Sequence, residues 1–181
     1  VISEEIERRN LKLKLVVATH GHFDHNLAVL DLKLIYNVPF GCSSKDFFLI
    51  ERQAETAKHF LGKNRIVAPN INKIDIDLDD TDEIKLGKNK VKVIKTPGHT
   101  PGGVSFLVED MLFTGDTLFA EGLRGDTKHN YSSTKAIFNS ICKLLELPEG
   151  TIVLPGHGEE TTIESAKKLF NCDYCELPDL A

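Results

Sequence analysis

The sequence predicts an α/β protein of the α+β type, with layered sheets covered by helices. Three observations carry that prediction. Between Ile74 and Phe119 apolar and polar residues alternate, as half-buried strands require. Segments of helical spacing lie before and after that run rather than between its strands. No repeat, low-complexity tract or Pro/Gly/Ser-rich linker divides the 181 residues, so residues 1–181 read as a single domain with 171–181 as a tail.

Residues 3–10 are charged and helix-compatible, with Ile2 and Ile6 on one face. Residues 12–19 run into the β-branched pair Val16 and Val17 and predict a strand. A short apolar helix is expected over 26–32, a strand over 33–36 and a turn over 39–41. Ser44 is positioned to cap a long helix over 45–61, stopped by Gly62. Ile74, Ile76 and Leu78, then Ile84 and Leu86, Val91 and Val93, and finally Val104, Phe106 and Val108 predict a run of antiparallel strands, with a turn over 87–89. Lys90 and Lys92 alternate with Val91 and Val93, so they mark a solvated strand face rather than a basic patch. The chain closes with a helix over 133–147, a strand over 151–154 and a helix over 162–170.

With 41% hydrophobic and 27% charged residues, the chain can bury a sizeable core. Its longest apolar runs, 15–18 and 152–154, fall far short of the roughly 20 residues that cross a bilayer, and no basic leader precedes them. No membrane partner is expected. A net charge of −5 provides no global field to hold a phosphate backbone, so nucleic acid is not an expected partner either. Four cysteines are too few for a disulfide scaffold and suit a reducing compartment, which predicts a cytoplasmic location. Cys172 and Cys175 form a lone Cys-x-x-Cys without the second pair a zinc site needs. The chain begins at Val1 rather than Met, as a processed product or a fragment would.

Chemistry concentrates in the histidines. Thr19-His20-Gly21-His22-Phe23-Asp24-His25 follows an apolar strand and sets four metal-competent side chains within six residues. No regular element aims all four at one point, but an irregular loop lets His20 and His22 share one ion while Asp24 and His25 turn toward another. Three further sites repeat one design of apolar strand, glycine and ligand-type residue: Pro97-Gly98-His99, Gly115-Asp116 and Pro155-Gly156-His157. A lone histidine after glycine is more often a turn residue than a ligand. Seven such groups beyond strand ends instead predict a metal site at one rim of a sheet assembly. His59, late in a helix, and His129, in a polar loop, lack that context.

The motifs THGHFDH, TPGHTPGGVSF, FTGDTLF and LPGHG resemble the metallo-β-lactamase superfamily, and most closely its glyoxalase II-like hydrolases. That resemblance spans nearly the whole chain and implies a four-layer αββα sandwich with a two-metal site at one edge. It implies that His20, His22 and His99 hold one divalent ion, that Asp24, His25 and His157 hold a second, and that Asp116 bridges them. Zinc is the expected metal, with iron or manganese as alternatives. Family members begin with strands ahead of the helix near Ser3, so an N-terminally truncated fold is expected. Full glyoxalase II also carries a C-terminal helical domain, and none follows Phe170 here. Where the family shows Gly-Arg-Thr-Asp, this chain reads Gly122-Leu123-Arg124-Gly125-Asp126-Thr127, with Arg124 and Asp126 as candidate substitutes.

The implied reaction is hydrolysis of a small-molecule thioester or ester by a metal-bridging hydroxide, with Asp24 as the catalytic residue that orients it. True zinc β-lactamases generally lose either the final histidine of the first motif or the bridging aspartate, and this chain retains His25 and Asp116. The first rival is a persulfide dioxygenase using one iron on His20 or His22 with His99 and Asp116. The second is a non-catalytic, metal-stabilised fragment. The oligomeric state is not legible.

Overall fold

Apolar side chains on both faces of a sheet demand cover on both sides. The computed structural model, which describes residues 2–62 and 69–170, supplies that cover on both of its sheets. The first sheet is parallel, in the order β1 (Val16–Val17), β2 (Phe40–Cys42), β3 (Ile76–Asp77). The second runs β4 (Glu83–Leu86), β5 (Asn89–Lys95), β6 (Val104–Val108), β7 (Met111–Gly115), β8 (Ile152–Pro155), β9 (Thr161–Thr162). It is antiparallel except between β7 and β8. The described helices are α1 (Ile2–Arg8), α2 (Phe23–Asn26), α3 (Val29–Tyr36), α4 (Phe47–Ile50), α5 (Gln53–Leu61), α6 (Thr134–Leu145) and α7 (Ile163–Leu169).

Three apolar clusters fill the spaces between layers. Outside the parallel sheet, Val29 of α3 and Ile50 of α4 pack with Val16, Phe40 and Cys42. Between the sheets, Val17 and Ile76 meet Val93, Val104 and Phe106. Outside the larger sheet, Ile137, Ile141 and Leu144 of α6 and Ile163 of α7 cover Ile94, Leu112 and Val153. The layers therefore run α, β, β, α, as the resemblance implies. The Ser133 side chain accepts from the Ala136 N–H at 3.1 Å and Thr162 from the Ser165 N–H at 3.2 Å, which caps both covering helices. Gly98 lies at φ 144°, and a Cβ there would stand 2.2 Å from the Ile137 nitrogen, so the His99 loop rests against α6 only because this residue is glycine.

Several local expectations are corrected. Residues 33–36 are helical, not extended: they complete α3, whose buried face is Val29 and Leu32, while Leu34 and Ile35 lie exposed. Asn37 at φ 48° ends that helix by donating its N–H to the Lys33 carbonyl. The turn expected over 39–41 is instead the entry to β2, the central strand of the parallel sheet. The helix expected over 45–61 breaks into a 3-10 turn at Ser44–Asp46, α4 and α5, and Ser43 rather than Ser44 caps it, accepting from the Lys45 N–H at 3.2 Å. The strand expected over 12–19 shortens to β1, and β3 pairs parallel to β2. Cys42 lies fully buried in β2, where burial raises its thiol pKa. The tail at 171–181, with Cys172 and Cys175, lies outside the described residues. No described helix is long and apolar enough to cross a membrane.

Leu144 is fully buried beneath the larger sheet. Leu144→Ala is expected to cost about 2–5 kcal/mol in urea denaturation followed by circular dichroism. Leu34→Ala, on the exposed face of α3, should change stability by no more than about 0.5 kcal/mol.

Candidate metal centre

Strand direction brings distant residues together. β5 and β7 both run antiparallel to β6, and β8 runs parallel to β7, so these three strands share one C-terminal rim. His99 follows β5, Asp116 follows β7 and His157 follows β8. The loop after β1 brings His20 and His22 to the same rim, and Asp24 and His25 sit on the short helix α2 rather than in the irregular loop expected. Gly156 makes room for this convergence: a Cβ there would lie 2.4 Å from Asp116 Oδ1 and 2.6 Å from His25 Cε1.

All seven predicted residues meet, in three overlapping donor sets whose nitrogens and oxygens lie within 4.8 Å of one another: His20, His22 and His99; His20, His25 and Asp116; Asp24, His25 and His157. His22 Nδ1 is 2.9 Å from His99 Nε2, and His25 Nε2 is 3.2 Å from His157 Nε2. Asp116 stands between the groups, 3.3 Å from His25 Nε2, 3.6 Å from His99 Nε2 and 3.7 Å from His157 Nε2. Asp24 Oδ2 lies 3.3 Å from His157 Nε2 and 3.6 Å from His25 Nε2.

The outer atoms of the histidines are already engaged. His99 Nδ1 donates to the Asp126 carbonyl at 2.7 Å, and His20 Nδ1 lies 3.1 Å from Thr19 Oγ1. His22 Nε2 lies 3.0 Å from the Tyr131 hydroxyl. Their inner nitrogens therefore face the shared space. His20 Nε2 and Asp116 Oδ1 are buried without a hydrogen-bond partner among the described residues, and such an orphan costs roughly 1–3 kcal/mol unless something satisfies it. Burial, followed by repulsion from neighbouring histidines, lowers the pKa of His20, and burial takes that of His22 down to about 4. Both rings are thus neutral at pH 7 and offer lone pairs. Burial raises the pKa of Asp116 against the pull of His25, His99 and His157. Converging neutral imidazoles, carboxylates and orphaned inward atoms are a donor set that fits divalent ions.

Residues 2–157 match the metallo-beta-lactamase superfamily. The chain belongs to that superfamily. Superfamily members generally bind divalent metals and act as hydrolases. This metallo-beta-lactamase superfamily chain is 35% identical over 172 residues to a hydroxyacylglutathione hydrolase of Haemophilus influenzae, covering 91% of this chain and 78% of that one. Among solved structures it is similar to BLEG-1, a B3 metallo-beta-lactamase, with TM-score 0.82 and 29% identity over 97% of this chain and 83% of that one. It is also similar to TTHA1623 in a di-iron-bound form, with TM-score 0.80 and 27% identity over 93% and 81% of the two chains.

Sequence reasoning missed the residues that hold the donors. Asp46, fully buried, accepts from the Gly21 N–H at 2.8 Å, the Thr100 hydroxyl at 2.6 Å and the Gly102 N–H at 2.6 Å. It thereby ties the His20–His22 loop of one sheet to the His99 loop of the other. Burial raises its pKa while those three donors oppose the rise. Asn26 clasps the first loop from inside, donating to the His20 carbonyl at 2.9 Å and the His22 carbonyl at 2.8 Å. The two candidate substitutes for the family's Gly-Arg-Thr-Asp act differently from each other. Asp126 contributes its backbone carbonyl to His99, whereas Arg124 lies over the Phe138 ring at 4.9 Å, on the side of α6. His59 is exposed, and His129 stacks on Tyr131 with centroids 4.8 Å apart.

Asp46→Asn would turn an amide N–H₂ toward a donor now held at 2.6–2.8 Å. It is expected to weaken metal binding roughly 10–100-fold in a chelator-competition titration. The same variant should lower stability by about 1–3 kcal/mol in thermal melts.

Proposed function

We propose that this chain is a glyoxalase II-like hydrolase that cleaves a small-molecule thioester or ester. In this reading His20, His22 and His99 hold one divalent ion, Asp24, His25 and His157 hold a second, and Asp116 contacts both. The observation that carries it is the position of Asp116, with His99 of one group and His25 and His157 of the other each within 3.7 Å. A complete second group, rather than one set of three, favours two ions over one. The similarity to a hydroxyacylglutathione hydrolase supports a thioester as the bond cleaved.

Two bound divalent ions would make a water nucleophilic near neutral pH, where its pKa falls to about 7, and would polarise the carbonyl. The residues do the rest. Asp24 is partly exposed, and with Oδ2 turned toward His157 and His25 its other oxygen is left to accept a hydrogen bond from the attacking water and aim it. A thiolate leaving group, with a thiol pKa of about 8.5, departs with little help from a proton donor. That suits a site whose acidic groups are all committed to the donor cluster.

Elemental analysis of the purified chain is expected to find close to two ions of zinc, iron or manganese per chain, with measurable hydrolysis of model thioesters. Asp24→Ala should lower kcat by about 10²-fold or more. It should also reduce the metal content toward one ion. One iron per chain with oxygen uptake on a persulfide would favour the dioxygenase. Faster turnover of a β-lactam than of any thioester would overturn the substrate class, and a chain with neither metal nor turnover would be the non-catalytic fragment.

A further inference from the structure

Beside the donor cluster, and opening directly on His22 and Asp24, lies a groove of about 700 Å³. This is the size of a small-molecule site. Its walls are aromatic: Phe23 stacks on Phe60 with centroids 5.9 Å apart, and Phe48 meets the edge of Tyr131 at 5.4 Å. Phe60 is 66% exposed and Phe48 37%, so both rings present apolar surface to the groove. Among the described residues, the only charged side chain on the lining apart from Asp24 is Arg52, itself 3.7 Å from Glu55. Among the described lining residues, a carrier with several carboxylates finds a single cation to pair with.

Tyr131 adds direction. His22 turns Nδ1 toward His99, so with Nδ1 on an ion its proton sits on Nε2 and is donated to the Tyr131 oxygen at 3.0 Å. The phenol accepts that hydrogen bond, and its own O–H is left to donate elsewhere. Tyr131 lines the groove, and His129 stacked on its face fixes the ring.

We propose that the groove binds the carbon-rich end of an acyl thioester bearing an aromatic or branched aliphatic group and at most one carboxylate, with Tyr131, held by His22 and His129, as its fixed wall. Tyr131, Phe48 and Phe60 are then specificity-determining residues, an assignment that rests on the hydrolase reading for the bond cleaved but not for the binding.

The test is calorimetric titration of the purified, metal-containing chain with uncleavable ketones in which a methylene replaces the thioester sulfur. A benzyl ketone is expected to bind at least about tenfold more tightly than its methyl counterpart. Phe60→Ala and Phe48→Ala should each remove most of that difference, and both positions are exposed enough for the variants to fold. Equal binding of benzyl and methyl ketones, or tighter binding of the glutathione-bearing ketone, overturns the proposal. If the benzyl ketone binds and Phe60→Ala abolishes the preference while no thioester is cleaved, the groove assignment stands and the hydrolase reading fails. Cleavage of thioesters without an aryl preference has the opposite meaning.

Discussion

Because the first histidine loop hangs from the parallel sheet and His99 from the larger one, the distance between them depends on what joins the two layers at the rim. Apolar contacts between Val17, Ile76, Val93 and Phe106 hold the sheets together but are non-directional and do not set a histidine's position to within a few tenths of an ångström. The Asp46 carboxylate does. It takes a backbone N–H from each loop and a hydroxyl from one of them, and its burial makes every alternative arrangement leave donors unsatisfied. With the loops registered, Asn26 holds the backbone of the first loop, the Asp126 carbonyl orients the His99 ring, and Asp116 arrives from β7 into a space already defined.

The arrangement is costly in the absence of a cation. Imidazole nitrogens 2.9–3.2 Å apart and two buried, unpartnered atoms work against folding, and the surrounding core offsets that cost. Three apolar clusters, with fully buried Phe40, Leu112, Ile141 and Leu144, surround the rim on its protein side. Stability is thus drawn from the layers, and it holds the crowded donors together at the end of the strands where the chemistry is.

How much of this was legible follows from which features leave a pattern. Period-two alternation exposed β4 through β7, the dense His20–His25 cluster marked four of the converging residues, and the recurrent glycine-ligand pairs at strand ends marked the other three. Residues 33–36 were ambiguous because an apolar run satisfies either period, and only the burial of Leu32 and the left-handed Asn37 decide for helix. Residues 39–41 carry turn composition, yet a buried central strand needs only a slot, and Gly41 leaves that slot between Val17 and Ile76. Asp46, Asn26 and Tyr131 were silent for another reason. Each is a single polar residue whose role depends on long-range approach, and Asp46 in particular reads as an ordinary acid at a helix start.

The buried Cys42 carries a consequence of its own. Its thiol sits in the central strand of the parallel sheet, with no exposed surface and with burial holding it in the unreactive protonated form. An alkylating reagent can reach it only while that sheet is open. The rate at which Cys42 is labelled therefore clocks the separation of β2 from its neighbours, the layer from which the first histidine loop is hung. The chain carries a built-in reporter of local opening, one that needs no introduced probe and lies one strand away from the donors it would report on.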